Sequence, residues 1–212
     1  MKKSIAKPKK LLILGLGNPG EQYMGTPHNA GFLTVNALLA HYEVGTIKNS
    51  KLHSEVAEHK SGKTRLILAK PQTFMNNSGT AAKVLVSSFK FPSFAKATAD
   101  RQVSSSLWVI HDDIDLELGK IKIVRNRGSG GHKGVEDIIK KLKTKNFVRF
   151  RVGTRPRRIP EKRSKQLMNK FVASDFTKAE QTLFKKSIKR TTEAVLLAIE
   201  EGVEKSASIY NR

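Results

Sequence analysis

Short aliphatic runs that alternate with stretches of helical period constrain this chain more than any other feature. "LLILG" (11–15), "TRLILAKP" (64–71) and "SLWVIHD" (106–112) have strand length and apolar content, and helix-patterned segments separate them. "NAGFLTVNALLAHY" sets Phe32, Val35, Leu38, Leu39 and Tyr42 on one helical face with Asn29 as its cap. "SGTAAKVLVSSFKF" predicts a helix from about Ser78 with Val84, Leu85 and Phe89 inward, and "KGVEDIIKKLK" aligns Val135, Ile138, Ile139 and Leu142. "GKIKIV" and "FVRFRVG" read as further strands, the second placing Phe150 and Val152 off the face of Arg149 and Arg151; His53 and His59 flank another. Thr177 and Glu180 make a capping-box pattern before a long amphipathic helix that stops at Gly202. The expected architecture is one α/β domain over residues 11–212, a twisted, mostly parallel (mixed) sheet with helices on both faces. Its ligands then belong beyond the carboxyl ends of the strands. Residues 1–10 form a basic leading segment, and the small, polar, aperiodic stretch 92–106 reads as a loop insertion.

The first strand runs into Gly15-x-Gly17-x-x-Gly20, the spacing of a dinucleotide-binding turn. Such a turn needs a helix opening at the third glycine and an acidic residue at the end of a second strand. Here Gly25 and Pro27 leave no room for that helix, and the acidic candidate, Glu43, follows a helical stretch. "SGKT" at 61–64 has Ala57 where a phosphate loop places its first glycine. A tight turn and a polar loop carrying Asn18, Tyr23, His28 and Asn29 are expected instead, with no cofactor.

The chain has 212 residues, 38% of them hydrophobic, enough for one core, and no cysteine. Disulfide scaffolds and thiol chemistry are therefore excluded, and a reducing cytoplasm fits. The apolar run after the basic start breaks at Gly15 and Asn18-Pro19, so neither a secretory nor a membrane-spanning segment is expected. Forty Lys+Arg against 18 Asp+Glu give a net charge of +22. Residues 120–170 concentrate this bias, with 18 Lys+Arg against 3 Asp+Glu. Such a patch attracts polyanions, nucleic acid first. With 7% aromatics, phosphate contacts rather than base stacking should dominate. No apolar stripe is left unassigned, so a monomer is expected.

Three loops fall at carboxyl ends of strands: the one after Leu14, "PQTFMNNSG" after Leu68, and "HDDID" after Ile110. They bring His28, Asn18, Asn76 and Asp112 toward one place. An imidazole oriented by a carboxylate is a general base near neutrality, and side-chain amides can hold a carbonyl or position the attacking water. A rival site, Asp112, Asp113 and Asp115 around magnesium, suits a nuclease, but strand alternation pairs Asp113 with Asp115 and leaves Asp112 out. No metal site is expected. His41 lies on a helix, and surface or packing roles suit it, His53 and His59. His111 faces away from Asp112, and His132 shapes the glycine loop.

"LGLGNPGEQYMGTPHNAGF", "KPQTFMNNSG", "VIHDDIDLELGKIK" and "SGGHKGVEDI", followed by "FVRFRVGTRP" and the closing "IYN", resemble in order the signature blocks of bacterial peptidyl-tRNA hydrolases. The resemblance covers nearly the whole chain apart from the leading segment and the insertion. It implies hydrolysis of the ester that joins a peptide to the 3′-terminal ribose of tRNA, with peptidyl-tRNA as the partner. By that resemblance His28 is the catalytic base, Asp112 its partner, and Asn18 and Asn76 hold substrate and water. Tyr23 and Met75 line the peptide channel. Lys122 and Arg151 match basic residues used toward tRNA, while Val124 stands where a basic residue is common, so Arg125 and Arg127 take its place. The chain departs from the family's Gly-Gly-His-Asn-Gly, reading Lys133 where asparagine is usual. Lys133 is expected to bind a phosphate near the tRNA 3′ end. A chloroplast splicing relative of this fold keeps open a non-catalytic RNA-binding alternative, against which the four assembled catalytic candidates argue.

Overall fold

A computed structural model of the chain describes residues 10–91, 106–160, 166, 171 and 176–211. The leading segment up to residue 9 and the 92–105 part of the expected insertion lie outside the described residues. The strands are β1 (Lys10–Gly15), β2 (Ile47–Asn49), β3 (Ser54–Ser61), β4 (Thr64–Pro71), β5 (Leu107–Glu117), β6 (Ile121–Arg125) and β7 (Val148–Arg155). The described helices are α1 (Ala30–His41), α2 (Ser78–Ser88), α3 (Lys133–Leu142), α4 (Lys178–Glu201) and α5 (Val203–Tyr210).

The seven strands make one sheet in the order β2-β3-β4-β1-β5-β7-β6. Its centre, β4-β1-β5-β7, is parallel, and antiparallel partners close both sides, β3 and β2 beside β4 and β6 beside β7. The sheet is therefore mixed, with helices on both faces as the alternation requires. Consecutive side chains of a strand point to opposite faces. Leu11 and Ile13 join a core with Val35, Leu38 and Val195 under α1 and α4, while Leu12 and Leu14 join one with Leu85, Val135 and Ile138 under α2 and α3. The short exposed strand β2 has no counterpart in the sequence reading. Its three residues carry too little alternation to show.

One expectation about local chemistry changes. Asn29 occupies the cap position of α1 without a side-chain cap bond; its side chain instead bonds the backbone of Asn18 in both directions. The alternation of β7 sets Phe150 and Val152 in one core and Arg149 off it. Arg149 is 2% exposed, with Nη2 donating to the Gly128 carbonyl, while Arg151 is half-buried.

The glycine pattern after β1 serves packing. A Cβ at Gly15 would lie 2.3 Å from the Gly31 carbonyl oxygen, and one at Gly31 would lie 2.2 Å from the Leu16 amide nitrogen. The start of α1 thus rests directly on the end of β1, a contact that any side chain would open. At Gly20, φ is +114°, which a side chain rarely tolerates.

Candidate active site

The residue before α1 and the end of β5 meet because β1 ends beside β5, with Gly15 in register with Ile110. His28 sits in a 3-10 turn, Pro27–Asn29, that leads directly into α1. Pro27 begins this turn with its φ already set, and Asn29 clamps the other side of the loop onto Asn18. The His28 Nδ1 lies 2.9 Å from Asp112 Oδ2. Asp112 is buried. Burial alone would raise its pKa, but the imidazoles of His28 and His132 outweigh it and hold the carboxyl well below the usual carboxylate range. At His28, burial lowers the pKa and the Lys133 charge lowers it further. The charge and hydrogen bond of Asp112 prevail, leaving it above the ordinary 6.5. An ionised Asp112 only accepts, so His28 donates from Nδ1 and keeps the Nε2 lone pair for a proton.

Asn18 is oriented by its neighbours. Its backbone N–H donates to Asn29 Oδ1, and its own Oδ1 accepts from the Met75 amide at 2.8 Å. With the oxygen held, the Nδ2 hydrogens are what Asn18 can offer a ligand. Asn76 is exposed one residue further along the turn Met75–Asn77. Tyr23 is half-buried in the first turn of the same loop as His28. Met75 lies deeper than its neighbours in the turn Met75–Asn77. It is 4% exposed and belongs to the core beneath α2 and α3, and a Cβ on Gly134 would come within 2.6 Å of its sulfur. Gly134, having no side chain, lets α3 close over it.

His132 does more than shape the glycine loop. Its Nε2 lies 2.9 Å from Asp112 Oδ1, and its Nδ1 accepts the Val135 N–H as the cap of α3. His111 is fully buried, its Nδ1 2.6 Å from the Asp112 carbonyl oxygen and its ring 4.6 Å from that of His132. Burial first, then the neighbouring His132 ring and Arg149 guanidinium, keep His111 well below pKa 6.5. The sequence signal for His132 was its place between Gly131 and an amphipathic helix, a capping position. Nothing local to it pointed to Asp112.

His28, Asp112 and His132 offer one ligand atom each within 4.8 Å of one another, a spacing a metal ion could use. Both Asp112 oxygens are already held by imidazole nitrogens, an arrangement that suits an oriented base. The magnesium alternative fails on geometry: Asp112 points to the histidines, whereas Asp113 pairs with Arg151 and its Oδ1 accepts from the Asp115 amide.

Of the basic candidates, Lys122 is exposed on β6 directly opposite Arg151 on β7. Arg127 is exposed, and Arg125 contacts Asn146 at 3.4 Å. Lys133 is exposed as the first residue of α3. Among these candidates it is the one whose charge acts on His28.

Comparison with known proteins points to one family. Residues 12–212 match the family model described as peptidyl-tRNA hydrolase. The chain is 38% identical to the peptidyl-tRNA hydrolase of Thermodesulfovibrio yellowstonii over 202 residues, covering 95% of this chain and 99% of the relative. It is 35% identical to that of Aquifex aeolicus over 202 residues, covering 95% and 96%. A crystal structure of peptidyl-tRNA hydrolase from Acinetobacter baumannii superposes with a TM-score of 0.81 at 27% identity, covering 97% of this chain and 96% of the other. Another, of a complex with N-propanol, gives 0.82 at 26% identity, covering 97% and 96%.

Proposed function

The chain belongs to the peptidyl-tRNA hydrolase family, and from that premise we propose that His28 is the general base of its reaction. The protein cleaves the ester between a peptide and the 3′ end of tRNA, freeing tRNA for further use. The observation that carries the site assignment is the His28–Asp112 pair, 2.9 Å long and formed across 84 residues of sequence. Asp112 holds the Nδ1 proton, so Nε2 can take a proton from water as that water attacks the ester carbonyl. The carbonyl oxygen gains negative charge, which the Asn18 Nδ2 hydrogens are oriented to receive. Asn76, exposed beside it, holds the substrate, and Tyr23 borders the peptide. The proton on His28 then passes to the ribose oxygen as the ester bond breaks. This sequence uses only side chains of the protein and a water molecule.

Lys122, Arg125, Arg127 and Arg151 supply the positive field for the tRNA backbone. Arg151 contributes least per charge because Asp113 pairs with it. Lys133 stands where that field meets the base. Among the described residues no helix is long and apolar enough to cross a membrane. The substrate arises wherever ribosomes work, which supports a cytoplasmic enzyme, and we place it there as a monomer.

The test is cleavage of an N-blocked aminoacyl-tRNA as a function of pH, by the parent chain and by His28→Ala. The parent rate should fall as pH drops through the His28 pKa, above 6.5, because only the unprotonated ring is a base. His28→Ala should lose that dependence together with the rate.

A further inference from the structure

Two imidazoles, not one, hold the carboxylate that orients the base, and the hydrogen bonds around them fix where each proton sits. The Val135 amide can only donate, and it lies 3.2 Å from His132 Nδ1, so Nδ1 is the acceptor and bears no proton. The His132 proton is therefore on Nε2, 2.9 Å from Asp112 Oδ1. On the other side of the chain, His111 Nδ1 lies 2.6 Å from a carbonyl oxygen, which only accepts, so His111 carries its proton on Nδ1.

We propose that His132 is a positioning residue locked as the Nε2–H tautomer, because it caps α3, and that its donation to Asp112 sets both the orientation and the strength of the His28–Asp112 pair. The proposal rests on His28 being the base. It assigns the cap of α3 a second task.

Orientation follows from geometry. With Oδ1 held by His132, the buried carboxylate cannot turn, and Oδ2 stays toward His28. Strength follows from charge. A hydrogen bond from His132 draws negative charge off the carboxylate, so Asp112 stabilises a protonated His28 less than an unshared carboxylate would. The groups that face His28 are Asp112, His132 and Lys133. Those that face His132 are Asp112, His28 and His111, with Arg149 beyond His111.

The first experiment uses the unaltered chain. Long-range nitrogen–proton NMR spectra at neutral pH should show His132 with a bare Nδ1 and a protonated Nε2. A protonated Nδ1 overturns the proposal. The second uses His132→Asn. Asparagine is among the best caps and can still accept the Val135 N–H, but its side chain is too short to reach Asp112. The acid limb of kcat/KM should then move to higher pH, so that the ratio of activity at pH 6 to that at pH 8 falls at least about threefold relative to the parent. KM for blocked aminoacyl-tRNA should change little. An unmoved acid limb, with His28→Ala still inactive, overturns the role of His132 while leaving His28 as base; retained activity in His28→Ala overturns the base itself. Should His132→Asn fail to fold, the spectra of the unaltered chain decide the matter.

Discussion

Asp112 and Asp113 are joined by one peptide bond and serve two regions that work by different physics. Asp112 faces the histidines, buried, with each oxygen 2.9 Å from a ring nitrogen. Asp113 faces the basic strand pair and meets Arg151, which lies opposite the exposed Lys122. Strand alternation separates the two functions at no cost in chain length. On the first side everything depends on direction: which atom carries a proton, and which oxygen it meets. On the second the summed charge matters more than any one contact, and dissolved salt screens it. A substitution near the histidines should therefore change the rate of the bound complex, and one along the basic edge should change the affinity.

The strongest way to break that division is His28→Ala. Single-turnover cleavage of saturated blocked aminoacyl-tRNA should fall at least about 100-fold, the lower end of general-base effects. Affinity for tRNA, read by filter binding, should stay within about twofold. An equal loss in both would mean that His28 belongs to the binding surface.

Asp112→Asn should be of the same order, at least about 100-fold. His132 can only donate toward residue 112, so the asparagine oxygen must face it and the NH2 group must face His28 Nδ1. That forces the His28 proton onto Nε2, where the reaction needs a lone pair. A loss below tenfold would show that the pair is not oriented in this way.

Salt should act on the other region alone. If three phosphates are neutralised, Kd for tRNA should rise about 40-fold between 50 and 200 mM salt, while the cleavage rate of the saturated complex stays nearly constant. A flat Kd would reduce the basic edge to a solvated face.

The smallest expected effect sharpens the comparison at the residue that belongs to both sides. Lys133→Ala should lower the log-log salt slope by about one unit. It should also move the acid limb of the rate upward, because removing the ammonium removes a charge that lowers the His28 pKa. A change in slope without a change in the acid limb would assign Lys133 wholly to the binding surface.

The alternation of strands and helices was legible because each element buries a periodic face. Leu12 and Leu14 against Leu11 and Ile13, or Val135, Ile138 and Leu142 along α3, carry that period in the residues themselves. The capping box at Thr177 and Glu180 was legible for the same local reason. The burial of Arg149 and Met75 was not legible, because a charged or flexible side chain has no period. Arg149 is buried through a bond to Gly128 across the sheet edge, and Met75 through the approach of Gly134.

Local chemistry therefore determined, from the sequence alone, the mixed α/β sheet with helices on both faces, the loops at its carboxyl ends and the polar groups they carry. The basic bias of residues 120–170 is likewise written in composition. Only the tertiary structure decided how these groups pair. It gave Asp112 two imidazoles and Asp113 an arginine, held the Asn18 oxygen on the Met75 amide, and made His132 both a helix cap and a donor. The physical reason is range: periodicity and capping act within a few residues, whereas a hydrogen bond requires a particular atom at about 3 Å. Between His28 and Asp112 that meeting spans 84 positions of the chain, and the packing of α1 on β1 and of β1 beside β5 brings it about.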